Sequence, residues 1–231
     1  MEPTTDNPEK VRVLMSEFVT HDVKRFVVEK PSGYEYIPGQ ANLVSLDTEG
    51  WKDEFRPFTF TNLNQDLVLE FTVKGYPEHD GVTKRLHELQ AGDEIILHEP
   101  FGTIVYQGPG YFLAGGAGIT PFIAIIRHLK QHDRIQGNTL IFSNKEAKDV
   151  ILEKEFRETF GDDFIPTLTK EKRNGYEHGR IDKEFLSKRV DTDKYFYVCG
   201  PDAFVKDLVS ALKELGVDED RIVVERLIFM D

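Results

Sequence analysis

Leu113-Ala-Gly-Gly-Ala-Gly-Ile-Thr-Pro-Phe122 decides the fold of the C-terminal half. Tyr111 to Ala114 is apolar and predicts a short strand; glycines break it, and a helix is expected from about Pro121 to His132. Pro121 is harmless in a first helical turn, where its missing N–H would be unpaired anyway. Glycines let a backbone approach a phosphate closely, and a helix N-terminus offers free N–H groups and the positive end of a dipole. Strand, glycine-rich turn and helix in that order point to a bound dinucleotide; a tight turn without a ligand is the competing reading. No Gly-Lys-Ser/Thr follows, so the segment is not a Walker-type phosphate loop.

Downstream, strands and helices are expected to alternate. Strand Thr139–Phe142 leads to helix Ala147–Thr159, strand Phe164–Leu168, helix Asp182–Arg189, strand Tyr195–Val198, helix Asp202–Leu215 and strand Ile222–Glu225. Alternation of this kind implies a parallel sheet with helices on both faces. Upstream the rhythm differs. Val11–Leu14, Val23–Val28, Ala41–Leu46, Leu67–Val73 and Glu94–Leu97 are short, β-branched and separated by turn residues such as Pro31-Ser-Gly and Pro38-Gly. One helix, Thr83–Leu89, interrupts them and ends before Gly92. The fold class predicted is therefore an antiparallel β-barrel followed by an α/β parallel-sheet domain, divided at Gln107-Gly-Pro-Gly into residues 1–107 and 108–231.

Composition narrows the function. A single cysteine, Cys199, excludes an internal disulfide and any cysteine-ligated zinc or iron–sulfur site, so no metal is expected. The net charge of −12 argues against nucleic acid or an anionic membrane as a partner. The N-terminus lacks the pattern of a signal peptide and no apolar run could span a bilayer, so a cytoplasmic protein is expected. Residues 1–106 carry 10 basic and 19 acidic side chains, whereas Lys170–Arg189 holds 7 basic against 4 acidic. That run is either a solvated face or an anion-binding surface.

Two further stretches are candidate anion sites. Arg56-Pro-Phe-Thr offers a cation, a ring and a hydroxyl within four residues; alone it also reads as a surface arginine beside a strand. Gly81-Val-Thr opens a helix, where Thr83 by itself reads as an N-cap.

Taken in order, Pro38-Gly-Gln, Arg56-Pro-Phe-Thr, Gly81-Val-Thr, Gly115-Gly-Ala-Gly-Ile-Thr-Pro, Cys199-Gly-Pro and Glu225 resemble the ferredoxin–NADP reductase superfamily over roughly Val11 to Leu227. The resemblance implies a barrel that binds FAD and an α/β domain that binds NADPH or NADH. Arg56 and Pro57 would hold the flavin pyrophosphate, Phe58 would stack on the isoalloxazine, and Thr59 would reach its N5/O4 edge. The family more often has Tyr and Ser at the last two positions, so Phe58 keeps the stacking face without a hydroxyl. Phe71, Thr72, Val73 and Lys74 would line the flavin tail, and Gly81, Val82 and Thr83 would cap its phosphates. Gly116, Ala117, Gly118, Thr120 and Pro121 would cradle the nicotinamide dinucleotide. Cys199, with Gly200 and Pro201, would lie against the nicotinamide; a lone buried cysteine is otherwise a packing residue. Glu225 aligns with an acid near the flavin in several members, and otherwise reads as an exposed acid on an edge strand.

The activity implied is FAD-dependent electron transfer between NAD(P)H and a separate one-electron carrier, flavodoxin or ferredoxin. Thr59, Cys199 and Glu225 are its catalytic candidates. A reductase component of an oxygenase system and a non-catalytic flavin-binding regulator are the alternatives. Ser143, Lys145, Lys170 and Arg180 lead to an expected preference for NADPH over NADH. The C-terminal Tyr of plant-type members is absent, and Phe229 in the tail Leu227–Asp231 is the candidate to cover the flavin instead.

Overall fold

The computed structural model describes residues 8–102 and 104–225; the tail carrying Phe229 lies outside the described residues. The chain divides into two compact units. One is built on the N-terminal strands and also takes in Thr120–His128; the other spans Ile104–Ile119 and Leu129–Glu225.

In the first unit, β1 (Glu9–Phe18), β2 (Val23–Glu29), β3 (Ala41–Leu46), β4 (Arg56–Thr59), β5 (Val68–Lys74) and β6 (Glu94–Leu97) form one antiparallel sheet in the order β4-β3-β6-β1-β2-β5. The sheet curls until its two outer strands meet. Phe60, just past β4, bridges Phe71 of β5, and the Thr61 N–H donates to the Glu70 carbonyl at 2.9 Å. Alternation along β5 makes this possible: Leu69, Phe71 and Val73 fill the barrel with Val13, Phe26 and Leu97, while Glu70, Thr72 and Lys74 fall on the other face. A register irregularity between Val13 and Met15 adds curvature to β1. Helix α1 (Val82–Glu88) buries Val82 and Leu86 in the same core.

In the second unit β7 (Gly110–Gly115), β8 (Thr139–Asn144), β9 (Phe164–Leu168), β10 (Glu177–His178), β11 (Tyr195–Cys199) and β12 (Ile222–Val224) form a parallel sheet in the order β10-β9-β8-β7-β11-β12. From β7 the chain first builds outward through β8, β9 and β10, then crosses back to place β11 on the other side of β7. The connecting helices are α2 (Thr120–Gln131), α3 (Glu153–Phe160), α4 (Lys183–Ser187) and α5 (Asp202–Glu214).

The expected fold class holds, and three local expectations change. Helix Ala147–Thr159 is broken: a 3-10 turn, Ala147–Asp149, is closed by a capping box between Glu146 and Asp149, Leu152 turns left-handed at φ 52°, and α3 starts only at Glu153. Strand β10 falls inside the basic run and has only two residues, too few for a periodic signal. The N-cap of α1 is Gly81 rather than Thr83. Among the described residues no helix is long and apolar enough to cross a membrane.

Candidate functional site

In the first unit, the arginine motif lies on the strand that closes the barrel. Arg56 is exposed, its Nη1 donates to the Phe55 carbonyl at 2.6 Å, and no described carboxylate pairs with it. Phe58 is half-buried and packs against the barrel core, and Thr59 is 7% exposed, in register with Ala41 of β3. The Phe71 and Val73 side chains belong to the barrel core, which leaves only their backbone for a ligand. Thr72 is buried on the outer face, 3.4 Å from the Thr61 hydroxyl, and Lys74 pairs with Asp22 at 2.8 Å. Gly81 opens α1 without a side-chain cap; a Cβ there would meet nothing within 4 Å, and no acid stands in the first turn. An unpaired guanidinium and an uncapped, open helix start suit the two phosphates of a flavin dinucleotide.

In the second unit, strand order reverses between β7 and β11, and this is where open parallel sheets bind ligands, beyond the strands' C-terminal ends. Both strands end here in the residues singled out from sequence. After Gly115 the chain makes a 3-10 turn, Gly116–Ile119, before entering α2. Gly116 has φ +53°, and a Cβ there would face open space. Gly118 is glycine for another reason: a Cβ would lie 2.4 Å from the Cys199 carbonyl oxygen and 2.5 Å from the Gly200 nitrogen. The glycine-rich turn thus rests directly on the Cys199-Gly200 backbone. Gly116 supplies the conformation and the open approach, and Gly118 supplies the fit. Pro201 then caps α5.

Cys199 is buried, and its thiol stands 3.7 Å from Oε2 of Glu225 as donor to the carboxylate. Burial, and then the Glu225 charge, push the thiol well above the ordinary cysteine range. Burial also raises the Glu225 carboxyl, with the Cys199 contact acting in the opposite sense. A thiol held protonated is no nucleophile, so the group is suited to contact rather than covalent chemistry.

Ser143 stands beside Gly115 in the β7–β8 register. Lys145 and Lys170 follow β8 and β9, joined by a bond from the Lys170 N–H to the Lys145 carbonyl at 3.0 Å; Arg180 comes two residues after β10. All three cations are exposed. Carboxylates flank them: Glu146, which follows Lys145 directly and already weighs against a 2′-phosphate in the sequence, and Asp149 and Glu171, which the structure adds. Glu146 and Asp149 cap each other's turn, and Glu171 accepts from the Ala147 N–H at 2.8 Å. Also unforeseen is Asn144, 6% exposed, whose side-chain amide has no partner, together with the equally unpartnered hydroxyl of Thr167. Asn144 ends β8, and an orphaned polar group there fits a polar ligand over this edge of the sheet; Thr167, in register with Ser143, lies one residue inside β9 and on the other face. No sequence signal distinguishes such an Asn from a solvated one.

The family model for an oxidoreductase FAD-binding domain matches residues 10–106, and that for an oxidoreductase NAD-binding domain matches residues 112–210. The chain belongs to the ferredoxin–NADP reductase superfamily. It is an FAD- and NAD(P)-binding oxidoreductase of that superfamily. Among its relatives, the NADH-cytochrome b5 reductase 2-A of Vanderwaltozyma polyspora is 27% identical, across 89% of this chain and 80% of its own. The reductase component of the naphthalene 1,2-dioxygenase system of Pseudomonas putida, named as a ferredoxin–NAD(P)+ reductase, is 25% identical across 94% and 68%. The fold is shared with the FAD/NAD-binding domain of a nitric oxide dioxygenase from Vibrio cholerae, with a TM-score of 0.82, 23% identity and coverage of 93% and 96%.

Proposed function

We propose that this protein passes electrons from a reduced nicotinamide dinucleotide to a separate small electron-carrier protein in the cytoplasm, with residues 1–107 holding FAD and residues 108–231 the nicotinamide. The observation that carries the reading is the glycine-rich turn at the reversal of strand order, seated on Cys199-Gly200. FAD, when bound, takes up the nicotinamide's hydride and releases its two electrons singly. The chain's own residues bind and align. Arg56, with Pro57 beside it, and the Gly81–Thr83 helix start hold the pyrophosphate, Thr59 offers its hydroxyl to the flavin ring, and Phe58 keeps the ring on the barrel. Gly116, Ala117, Gly118, Thr120 and Pro121 form the nucleotide turn. Cys199, backed by Glu225, sets the depth of the nicotinamide without reacting with it.

For the coenzyme, the carboxylates Glu146, Asp149 and Glu171 beside Lys145 and Lys170 support NADH in place of the NADPH expected from sequence. A carboxylate at the end of the second strand accepts from a ribose diol and repels a 2′-phosphate. The name of the Vanderwaltozyma relative points the same way. For the acceptor, ferredoxin and flavodoxin are joined by cytochrome b5, the partner in that relative's name. A reductase component of an oxygenase is the second reading, favoured by the Pseudomonas relative.

The test is direct. The purified protein should release FAD on heating, identified by mass, and its visible absorbance should bleach on anaerobic addition of NADH. Release of FMN, or a flavin that neither nucleotide bleaches, overturns the reading; the latter outcome fits a non-catalytic flavin-binding regulator.

A further inference from the structure

Along β5 the side chains alternate, so Glu70 shares its outward face with Thr72 and Lys74, the two side chains of this strand assigned to the flavin. Yet Glu70 is 8% exposed. Its Oε1 accepts from the Thr61 hydroxyl and from Arg127 Nη1, each at 2.8 Å, and its Oε2 lies 3.5 Å from Arg25 Nη1. The Arg127 nitrogen also donates to the Thr61 carbonyl at 2.7 Å. Arg127 is a residue of α2, and Thr120–His128 of that helix belongs to the barrel unit. The helix is therefore fastened through Arg127, its eighth residue, to the seam where β4 and β5 close, two residues beyond Thr59. Such a contact is unnecessary for barrel closure, which the Phe60–Phe71 bridge and the Thr61–Glu70 backbone bond already accomplish.

We propose that Glu70 and Arg127 form a clamp that holds the first turn of α2, with Thr120 and Pro121, in register with Thr59, making both positioning residues for hydride transfer. The proposal rests on the functional reading above and extends it to residues outside every nucleotide motif. From Thr120 to Arg127 is seven residues, about two helical turns or ~10 Å. At that remove, one charged nitrogen held by both the Glu70 carboxylate and the Thr61 carbonyl limits how the helix can shift along or about its axis. Misplacing the reacting atoms by about 1 Å costs rates heavily while leaving binding nearly intact.

The experiment compares the full-length wild type with Glu70→Gln, Glu70→Asp, Arg127→Gln and the Glu70→Gln/Arg127→Gln pair. Hydrogen–deuterium exchange of the peptide covering residues 120–128 reads the clamp without turnover. Anaerobic stopped-flow flavin reduction by NADH reads the limiting rate and the nucleotide Kd separately. Each glutamine variant should keep its FAD, exchange faster in that peptide, and slow the limiting rate by about 10-fold with Kd changed by less than about 3-fold. Glu70→Asp should recover part of the rate, and the double variant should be no slower than either single one, as for two halves of one contact. Wild-type exchange and limiting rate in both single variants would overturn the clamp, as would losses that simply add in the pair. If Glu70→Gln loses its flavin, Arg127→Gln, which leaves every barrel strand unaltered, decides alone by the same two readouts. A wild type that no nucleotide bleaches defeats the underlying reading; a wild type that bleaches beside unaffected variants defeats only the clamp.

Discussion

Gly118→Ala tests whether the dinucleotide turn must rest on the Cys199-Gly200 backbone. The added Cβ would stand 2.4 Å from the Cys199 carbonyl oxygen and 2.5 Å from the Cys199 carbonyl carbon and Gly200 nitrogen. Comfortable contact begins near ~3.5 Å, so one segment must retreat by about 1 Å. All three atoms are backbone, and no side chain can rotate out of the way. Overpacking of this kind costs about 1–3 kcal/mol, and for a chain of this size each kcal/mol lowers Tm by about 2–4 °C. The variant should melt roughly 2–12 °C below the wild type. The same displacement moves the turn relative to Cys199, so flavin reduction by NADH should slow on the order of 10²-fold. Gly116 is the control. A side chain there meets open space, and only its φ of +53° resists, so Gly116→Ala should cost about 1–2 kcal/mol and Gly116→Asn less, since Asn tolerates the left-handed region. Thermal denaturation followed by circular dichroism, with stopped-flow reduction on the same samples, gives both numbers. A Gly118→Ala protein within about 1 °C of wild type that reduces its flavin at the wild-type rate would refute the argument.

Four further outcomes are expected. Arg56→Ala removes a charge-assisted phosphate contact of about 1.5–3 kcal/mol and should weaken FAD binding about 10- to 100-fold, measured by titrating the apoprotein; retention at wild-type affinity would dismiss Arg56 from the site. Cys199→Ser should leave the flavin spectrum intact while slowing flavin reduction by about 10-fold or more, and an unchanged rate would take Cys199 off the catalytic candidates. Because the folded carboxyl of Glu225 titrates above its ordinary 4.5, the folded state binds that proton more tightly than the unfolded chain; the group's contribution is present at low pH and is lost as pH rises through the folded value. Glu225→Gln should therefore gain in Tm relative to wild type as pH rises from about 4 to 8, and parallel profiles would show that the carboxyl is not raised. The ratio of kcat/KM for NADH over NADPH, measured with ferricyanide as acceptor, should exceed one and rise further in Lys145→Ala; a wild type preferring NADPH would restore the cation reading of that rim.

What the residues alone determined is local. The period-two runs of the first half, each strand and helix of the second, and each of the motifs Arg56-Pro-Phe-Thr, Gly115-Gly-Ala-Gly and Cys199-Gly-Pro are carried by neighbours within about ten positions, where propensity, patterning and turn chemistry act. The fold class followed from them, and the assignment of FAD to the first half from the resemblance that the order of the motifs carries. The tertiary structure decided whatever depends on register between distant segments. It closed the barrel through Phe60 and Phe71, placed β11 beside β7, and showed Gly118 to be a packing glycine against a strand some eighty residues away. It joined Glu70 to Arg127 across 57 positions, brought the Glu171 carboxylate onto the Ala147 backbone, and buried Asn144 without a partner. Such pairings carry no local signature, because a side chain's chemistry is the same whether it ends in solvent or against another strand; only the three-dimensional path of the chain determines which groups share a low-dielectric, water-poor site.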